Sequence, residues 1–221
     1  MSQTTRTKPY GPGDTAHVLR CDQRTSTDGY WDNSRPPVLT VKSGDIVEVE
    51  TGIHLSMKPG DTLADWAASF RRLMDAIPDV SILEDAETGA QHLRKGAGHH
   101  RLTGPISVEG AEPGDVLQVE ILYIEPYPYG FNLNPQASFL PLGLLPEDYP
   151  EGGMRWYEVD PRTGTYQFQP GVTVRTRPFP GSIGVEMAAP GKWSNVPPGR
   201  HGGNMDNKEL CEGSVLYLPV Q

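Results

Sequence analysis

The chain has 221 residues with 25 glycines, 22 prolines and a formal net charge of -9. That acidic balance, with no visible basic patch, argues against nucleic acid or an anionic membrane as a partner. The length is sufficient for a substantial core in one large domain, or one domain plus a subdomain.

The excess of glycine and proline, with core-forming aliphatic and aromatic residues still present, suits a turn-rich β protein. No run of about 18 apolar residues occurs, and the polar N-terminus lacks the apolar centre of a signal peptide. The expected location is therefore cytoplasmic, where Cys21 and Cys211 are read as thiols; neither has the Cys-x-x-Cys spacing of zinc or redox sites.

Residues 1–15 are polar and contain Pro9, Gly11, Pro12 and Gly13, so they read as a flexible arm, leaving 16–221 as a single β-rich domain. Strands are expected at 17–21 and, after Pro36-Pro37, at 38–41. Three segments then look alike: Ser43-Gly44-Asp45-Ile46-Val47-Glu48-Val49, Pro113-Gly114-Asp115-Val116-Leu117-Gln118-Val119, and Glu212-Gly213-Ser214-Val215-Leu216-Tyr217-Leu218. Each is a glycine turn feeding an alternating strand, the signature of sandwich or barrel-like sheets.

One amphipathic helix is expected over 61–77, where Leu63, Trp66, Phe70, Leu73 and Met74 keep helical spacing, with Thr62 and Asp65 placed as a capping pair. Its expected role is to cover a sheet. Residues 79–98 are polar and read as loop. Over 126–153 the chain turns aromatic and proline-rich, with Tyr127, Tyr129, Phe131 and Phe139. That stretch is either the wall of a small apolar pocket or a packed Ω-type loop. A hairpin over 155–159 and 165–169 follows.

The stretch 177–206, with five prolines and six glycines, reads as one long irregular loop. His201, Asn204 and Asp206 lie within six residues of each other there, two glycines allow close backbone approach, and Phe179, Ile183 and Trp193 anchor it.

This stretch resembles the acetamidase/formamidase family, in which Pro-Phe-Pro-Gly (here Pro178 to Gly181) is followed by His-Gly-Gly-Asn-Met-Asp (here His201 to Asp206). Two further motifs match in the family's order: Trp31-Asp32-Asn33-Ser34, and the run from Leu102-Thr103-Gly104-Pro105 to Glu112-Pro113-Gly114-Asp115. The resemblance implies a largely β-built amidase that hydrolyses short aliphatic amides such as formamide and acetamide, with a homo-oligomeric assembly. Relatives continue past a Leu-Pro-Val strand into Gly-Asp-x-His and Gln-Gly-Asp-Gly-Glu segments, whereas this sequence ends at Gln221. The resemblance therefore implies that residues 16–221 lack part of the polar shell and that the final strand has an open edge.

Amide hydrolysis needs a nucleophile and stabilisation of an oxyanion. No Gly-x-Ser-x-Gly elbow occurs and neither cysteine opens a helix, which leaves water, activated by a metal or a carboxylate. A zinc-like ion bound by imidazole and carboxylate would suffice. Candidate ligands are Asp32, His100, His201 and Asp206; His100 enters because the family has a histidine before its Leu-Thr-Gly-Pro run.

Asp206 and Glu109 are candidate catalytic residues, with Glu109 or Glu112 able to supply a general base, and Asn33, Gly203 and Asn204 are candidate substrate contacts. Alternatives stand beside these: Asp32 capping a turn with Asn33, Asn204 stabilising a loop with positive φ, and Glu112 serving a turn. His99 is expected at the surface, and His17, His54 and His92 are left as structural. A noncatalytic β-rich binding or assembly module on the same scaffold is the rival reading.

Overall fold

The computed structural model describes Lys8, Tyr10, Gly11, and residues 15–76, 81–83, 93–95, 98–140 and 143–221. The expected N-terminal arm lies mostly outside the described residues, as do His92 and most of 79–98. Within 79–98, Ser81–Leu83 and Leu93–Lys95 are strands, where loop was expected.

Among the described residues the chain is strands with a single α-helix, as expected, but the strands do not close into a barrel. They form two four-stranded sheets and five two-stranded ladders. One four-stranded sheet is an antiparallel meander of Tyr129–Asn134, Gly153–Asp160, Thr165–Gln169 and Val172–Arg175, which contains the expected hairpin. The other joins Tyr30–Trp31, Trp193–Ser194, Leu93–Lys95 and Ser81–Leu83.

The three look-alike segments fold alike, for a local reason. Gly44, Gly114 and Gly213 sit at φ 91°, 103° and 83°, the left-handed position of a type II turn that strains any side chain. Each turn closes through the following N–H: Asp45 to Lys42 O, Asp115 to Glu112 O, and Ser214 to Cys211 O. The second and third segments then pair with each other, Val116–Glu120 running antiparallel to Val215–Pro219 in unbroken register. Leu117, Val119, Leu216 and Leu218 face inward while Val116, Val215 and Tyr217 are exposed. The first segment pairs instead in parallel with Thr15–Leu19, which begins two residues earlier than expected.

The helix spans Leu63–Ala76. The capping pair fixes its start: Thr62 N–H donates to Asp65 Oδ2 at 2.8 Å and Asp65 N–H donates to Thr62 Oγ1 at 3.3 Å. Trp66 on its inner face is buried and meets Phe70 and Phe139. Trp156 of the meander donates its indole N–H to Asp61 O at 2.9 Å, tying sheet to helix entry. A separate core is formed by Trp31, Met187 and Trp193, with Leu102 packed against them.

The stretch 177–206 is more ordered than its composition suggests. It contains strands Ser182–Gly184, Trp193–Ser194 and Gly202–Asn204, the first and last paired antiparallel. Tertiary pairing supplies the regularity that local propensity lacks.

Candidate active site

His201 is held where only glycine neighbours allow it. Gly202 and Gly203 sit at φ 84° and 85°. A Cβ on Gly203 would lie 2.6 Å from His201 Nε2, and one on Gly184, across the ladder, 2.5 Å from His201 O. The imidazole is 1 % exposed and meets Trp31 in a T-shaped contact at 5.2 Å. Both His201 Nε2 and Trp31 Nε1 are buried without a hydrogen-bond partner among the described residues. Burial pushes the His201 pKa below its ordinary value of about 6.5, so the ring is neutral at pH 7.

His100 is positioned through its main chain. Asn195, fully buried, donates Nδ2–H to His100 O at 2.7 Å and accepts the His100 N–H on Oδ1 at 3.3 Å. Gly98 leaves room for this, since a Cβ there would lie 2.2 Å from Asn195 Oδ1. Burial lowers the His100 pKa, and the Asp206 carboxylate partly restores it. Asp206 itself is exposed at φ 46°, donating its N–H to Gly181 O at 3.1 Å. A Cβ at Gly181 would come within 2.9 Å of Asp206 Oδ1, so the Pro-Phe-Pro-Gly motif runs directly beside this carboxylate.

Asp32 is buried and engaged locally. Its Oδ1 accepts Ser34 Oγ–H at 2.6 Å and Ser34 N–H at 3.0 Å, closing an Asx turn over Asn33, the capping alternative expected for this residue. Its own N–H donates to Glu186 Oε2 at 3.1 Å. Burial pushes the Glu186 carboxyl pKa up; the Asp32 N–H opposes this and the Asp32 carboxylate adds to it. Nothing in the local sequence around Glu186 or Asn195 pointed to these roles, because their partners lie 154 and 95 positions away.

Other expected site residues fall elsewhere. Asn33 donates Nδ2–H to Met187 O at 2.8 Å and to Ala188 O at 3.1 Å, making it a tie between loops. Both ends of the Asn204 amide are engaged, Nδ2 with Val196 O at 3.0 Å and Oδ1 with Ser182 Oγ at 3.2 Å, and its φ is not positive. Glu109 is exposed after strand Ile106–Val108, with its N–H bonded to Val41 O. His17 gains an unforeseen partner in Asp45 Oδ2 at 3.1 Å.

His99 is half-buried rather than superficial, with its ring 4.4 Å from that of His100 and 5.6 Å from Phe70. It lines a cleft of about 450 Å³ together with Trp66, Phe131, Asn132, Leu133 and Asn134. Phe139 backs Trp66, whereas Tyr127 and Tyr129 stack on each other at 5.4 Å.

Residues 84–193 match the Acetamidase/Formamidase family. Over 86 % of its length the chain is 26 % identical to a formamidase of Methylophilus methylotrophus, and over 90 % it is 27 % identical to an acetamidase of Mycolicibacterium smegmatis. The crystal structure of an acetamidase from Bacillus halodurans superposes over 91 % of this chain and 57 % of its own, with a TM-score of 0.66 at 25 % identity. The chain belongs to the acetamidase/formamidase family.

It spans 53 % and 57 % of the length of those two sequence relatives. The family motifs occupy distinct places in the site: the Trp-Asp-Asn-Ser run supplies Trp31 and Asp32, the Pro-Phe-Pro-Gly run frames Asp206, and the His-Gly-Gly-Asn-Met-Asp run carries His201. The expected zinc ligands are brought only partly together. Among the described residues no three His, Cys, Asp or Glu side chains gather closely enough to hold an ion. Asp32 accepts from Ser34 on Oδ1 alone, and among the described residues Asp32, His100, His201 and Asp206 do not by themselves form a three-ligand cluster.

Proposed function

We propose that this acetamidase/formamidase chain forms the reaction cleft of an amidase that converts short aliphatic amides to carboxylate and ammonia. The observation that carries the reading is His201: a neutral, buried imidazole with an uncommitted Nε2, on a family motif, against a Trp31 indole N–H that is also uncommitted. A buried polar group without a partner carries a desolvation cost of about 1–3 kcal/mol. A substrate or water bonded there relieves it.

In this reading water attacks the amide carbon while a neutral imidazole takes its proton. His100 is suited to be that base, since burial keeps it neutral at pH 7 and the Asp206 carboxylate favours the imidazolium that forms. The proton then passes to the amide nitrogen, the C–N bond breaks, and ammonia and the carboxylic acid leave, exchanging the remaining proton to become ammonium and carboxylate at neutral pH. Trp31 Nε1–H is the candidate donor to the carbonyl oxygen as it gains charge.

No step here is routed through zinc; zinc-activated water is proposed only with ligands additional to the described ones. Ammonia release from formamide and acetamide by purified protein, with and without chelator and added zinc, is the test. The expected result is turnover; folded protein that releases none under any condition overturns the reading and favours the noncatalytic module.

A cytoplasmic location and assembly with further copies belong to the same proposal. Both cysteines are unbridged, which suits a reducing compartment. The exposed face of the Val116–Glu120/Val215–Pro219 ladder presents Val116, Val215 and Tyr217 to other chains. Light scattering on the purified chain reads the assembly directly. No helix of the described residues is long and apolar enough to cross a membrane.

A further inference from the structure

We propose that Asn195 is a positioning residue for amide hydrolysis, its buried amide fixing where His100 stands relative to Trp31 and the His201 motif. This rests on the amidase reading above, in which His100 is the base, and adds a residue that sets the rate without touching substrate.

A primary amide taken wholly out of water is costly unless its polar ends are bonded. Asn195 is fully buried, and both ends meet one residue: Nδ2–H donates to His100 O and Oδ1 accepts the His100 N–H. The side chain does what a neighbouring strand would do, gripping the N–H and C=O of one residue and so fixing the direction in which its Cβ leaves the chain. Satisfying the His100 carbonyl does not require this grip, because Gly29 N–H already donates to that oxygen at 2.9 Å. Gly29 O in turn accepts the N–H groups of Gly98 and Asn195. The main chain just ahead of Trp31, the main chain of His100 and Asn195 are therefore closed into one hydrogen-bonded ring.

The neighbours of Asn195 extend this ring to the other histidine motif. Trp193 pairs with Trp31 and Ser194 with Tyr30, and Val196 O accepts Asn204 Nδ2–H at 3.0 Å, within the run that begins at His201. The consecutive residues 193–196 thus set the register of three segments that carry candidate site residues. Misplacing a catalytic group by about 1 Å can cost on the order of 10²-fold in rate.

The test follows acetamide hydrolysis by the full chain and by Asn195→Leu, which keeps the approximate shape of the side chain and removes both bonds. Asn195→Ser, too short to span them, takes its place should the first variant fail to fold. The kcat is expected to fall about 10–10²-fold with KM changed less than about twofold. In a His100→Gln background the same substitution is expected to change kcat less than about twofold, because the group it positions is gone. A folded variant whose kcat is unchanged overturns the proposal, as does a loss that persists undiminished without His100; both leave the amidase reading standing.

If wild type turns over no amide, the amidase reading fails and chemical labelling decides the clamp; labelling also decides it where His100→Gln is too slow to follow. His100 Nε2 is buried. Its carbethoxylation, read by peptide mass spectrometry, is expected to speed up about tenfold in Asn195→Leu while that of His17 stays the same. An unchanged His100 rate overturns the clamp.

Discussion

The ladder of Val116–Glu120 with Val215–Pro219 and the ladder of Ser182–Gly184 with Gly202–Asn204 are both short antiparallel pairs, yet they are specified in opposite ways. In the first, alternation decides the structure: Leu117, Val119, Leu216 and Leu218 point inward and their neighbours outward. In the second there is little side chain to alternate. Gly184, Gly202 and Gly203 let two backbones and one imidazole come closer than any Cβ would permit. Substituent bulk stabilises one ladder, and its absence makes the other possible. The two meet where a Cβ on Gly202 would lie 2.9 Å from Leu218 Cδ2.

That contrast can be broken on the functional side first. His100→Gln removes the imidazole proposed as the base while keeping a polar side chain at a half-buried position; amide turnover is expected to fall about 10²–10⁴-fold, with a melting temperature close to wild type. Ammonia assays and calorimetric melting separate the two effects. On the other ladder, Leu218→Ala deletes a side chain that is 3 % exposed. It is expected to cost about 2–5 kcal/mol in denaturant unfolding while leaving turnover per folded molecule unchanged.

Gly203→Ala tests the glycine ladder itself. Its Cβ meets His201 Nε2 at a residue of φ 85°, and a loss of about 3 kcal/mol is expected from overpacking and left-handed strain together. Unlike Leu218→Ala it should remove activity even at temperatures where the protein stays folded.

The smallest effect is on pH dependence. His201 and His100 have folded pKa values depressed by burial, so the unfolded chain binds protons first as pH falls. Their contribution is fully present above about pH 6.5 and is lost as pH drops below it toward the folded values. Glu186 runs the other way: its raised pKa gives stability below the unfolded carboxyl value that is lost as pH rises through the folded one. Unfolding free energies measured from pH 7.5 down to 5 should therefore fall less steeply in His201→Gln than in wild type.

Much of the regular frame was legible in the sequence. Glycine turns with an Asp or Ser after them announced three strands, and Thr62 with Asp65 announced a helix start, because those signals act within four residues. The candidate site residues could be named only where a motif carried them. His201, Asp206, His100 and Asp32 were named from motifs, but the partners that set their geometry were not. Asn195 and Glu186 act across 95 and 154 positions, and no local pattern encodes such a contact. The same distance effect made 177–206 read as loop, since its strands exist only in the presence of one another and of Trp31.

The contact between Trp31 and His201 gives the protein an optical reporter of its own. An imidazolium placed edge-on to an excited indole quenches its emission, whereas a neutral imidazole does so weakly. With ring centroids 5.2 Å apart, protonation of this one histidine is expected to change the emission of Trp31. A titration of intrinsic emission, repeated with Trp31→Phe to identify its source, follows the protonation of His201 in the working protein without any label.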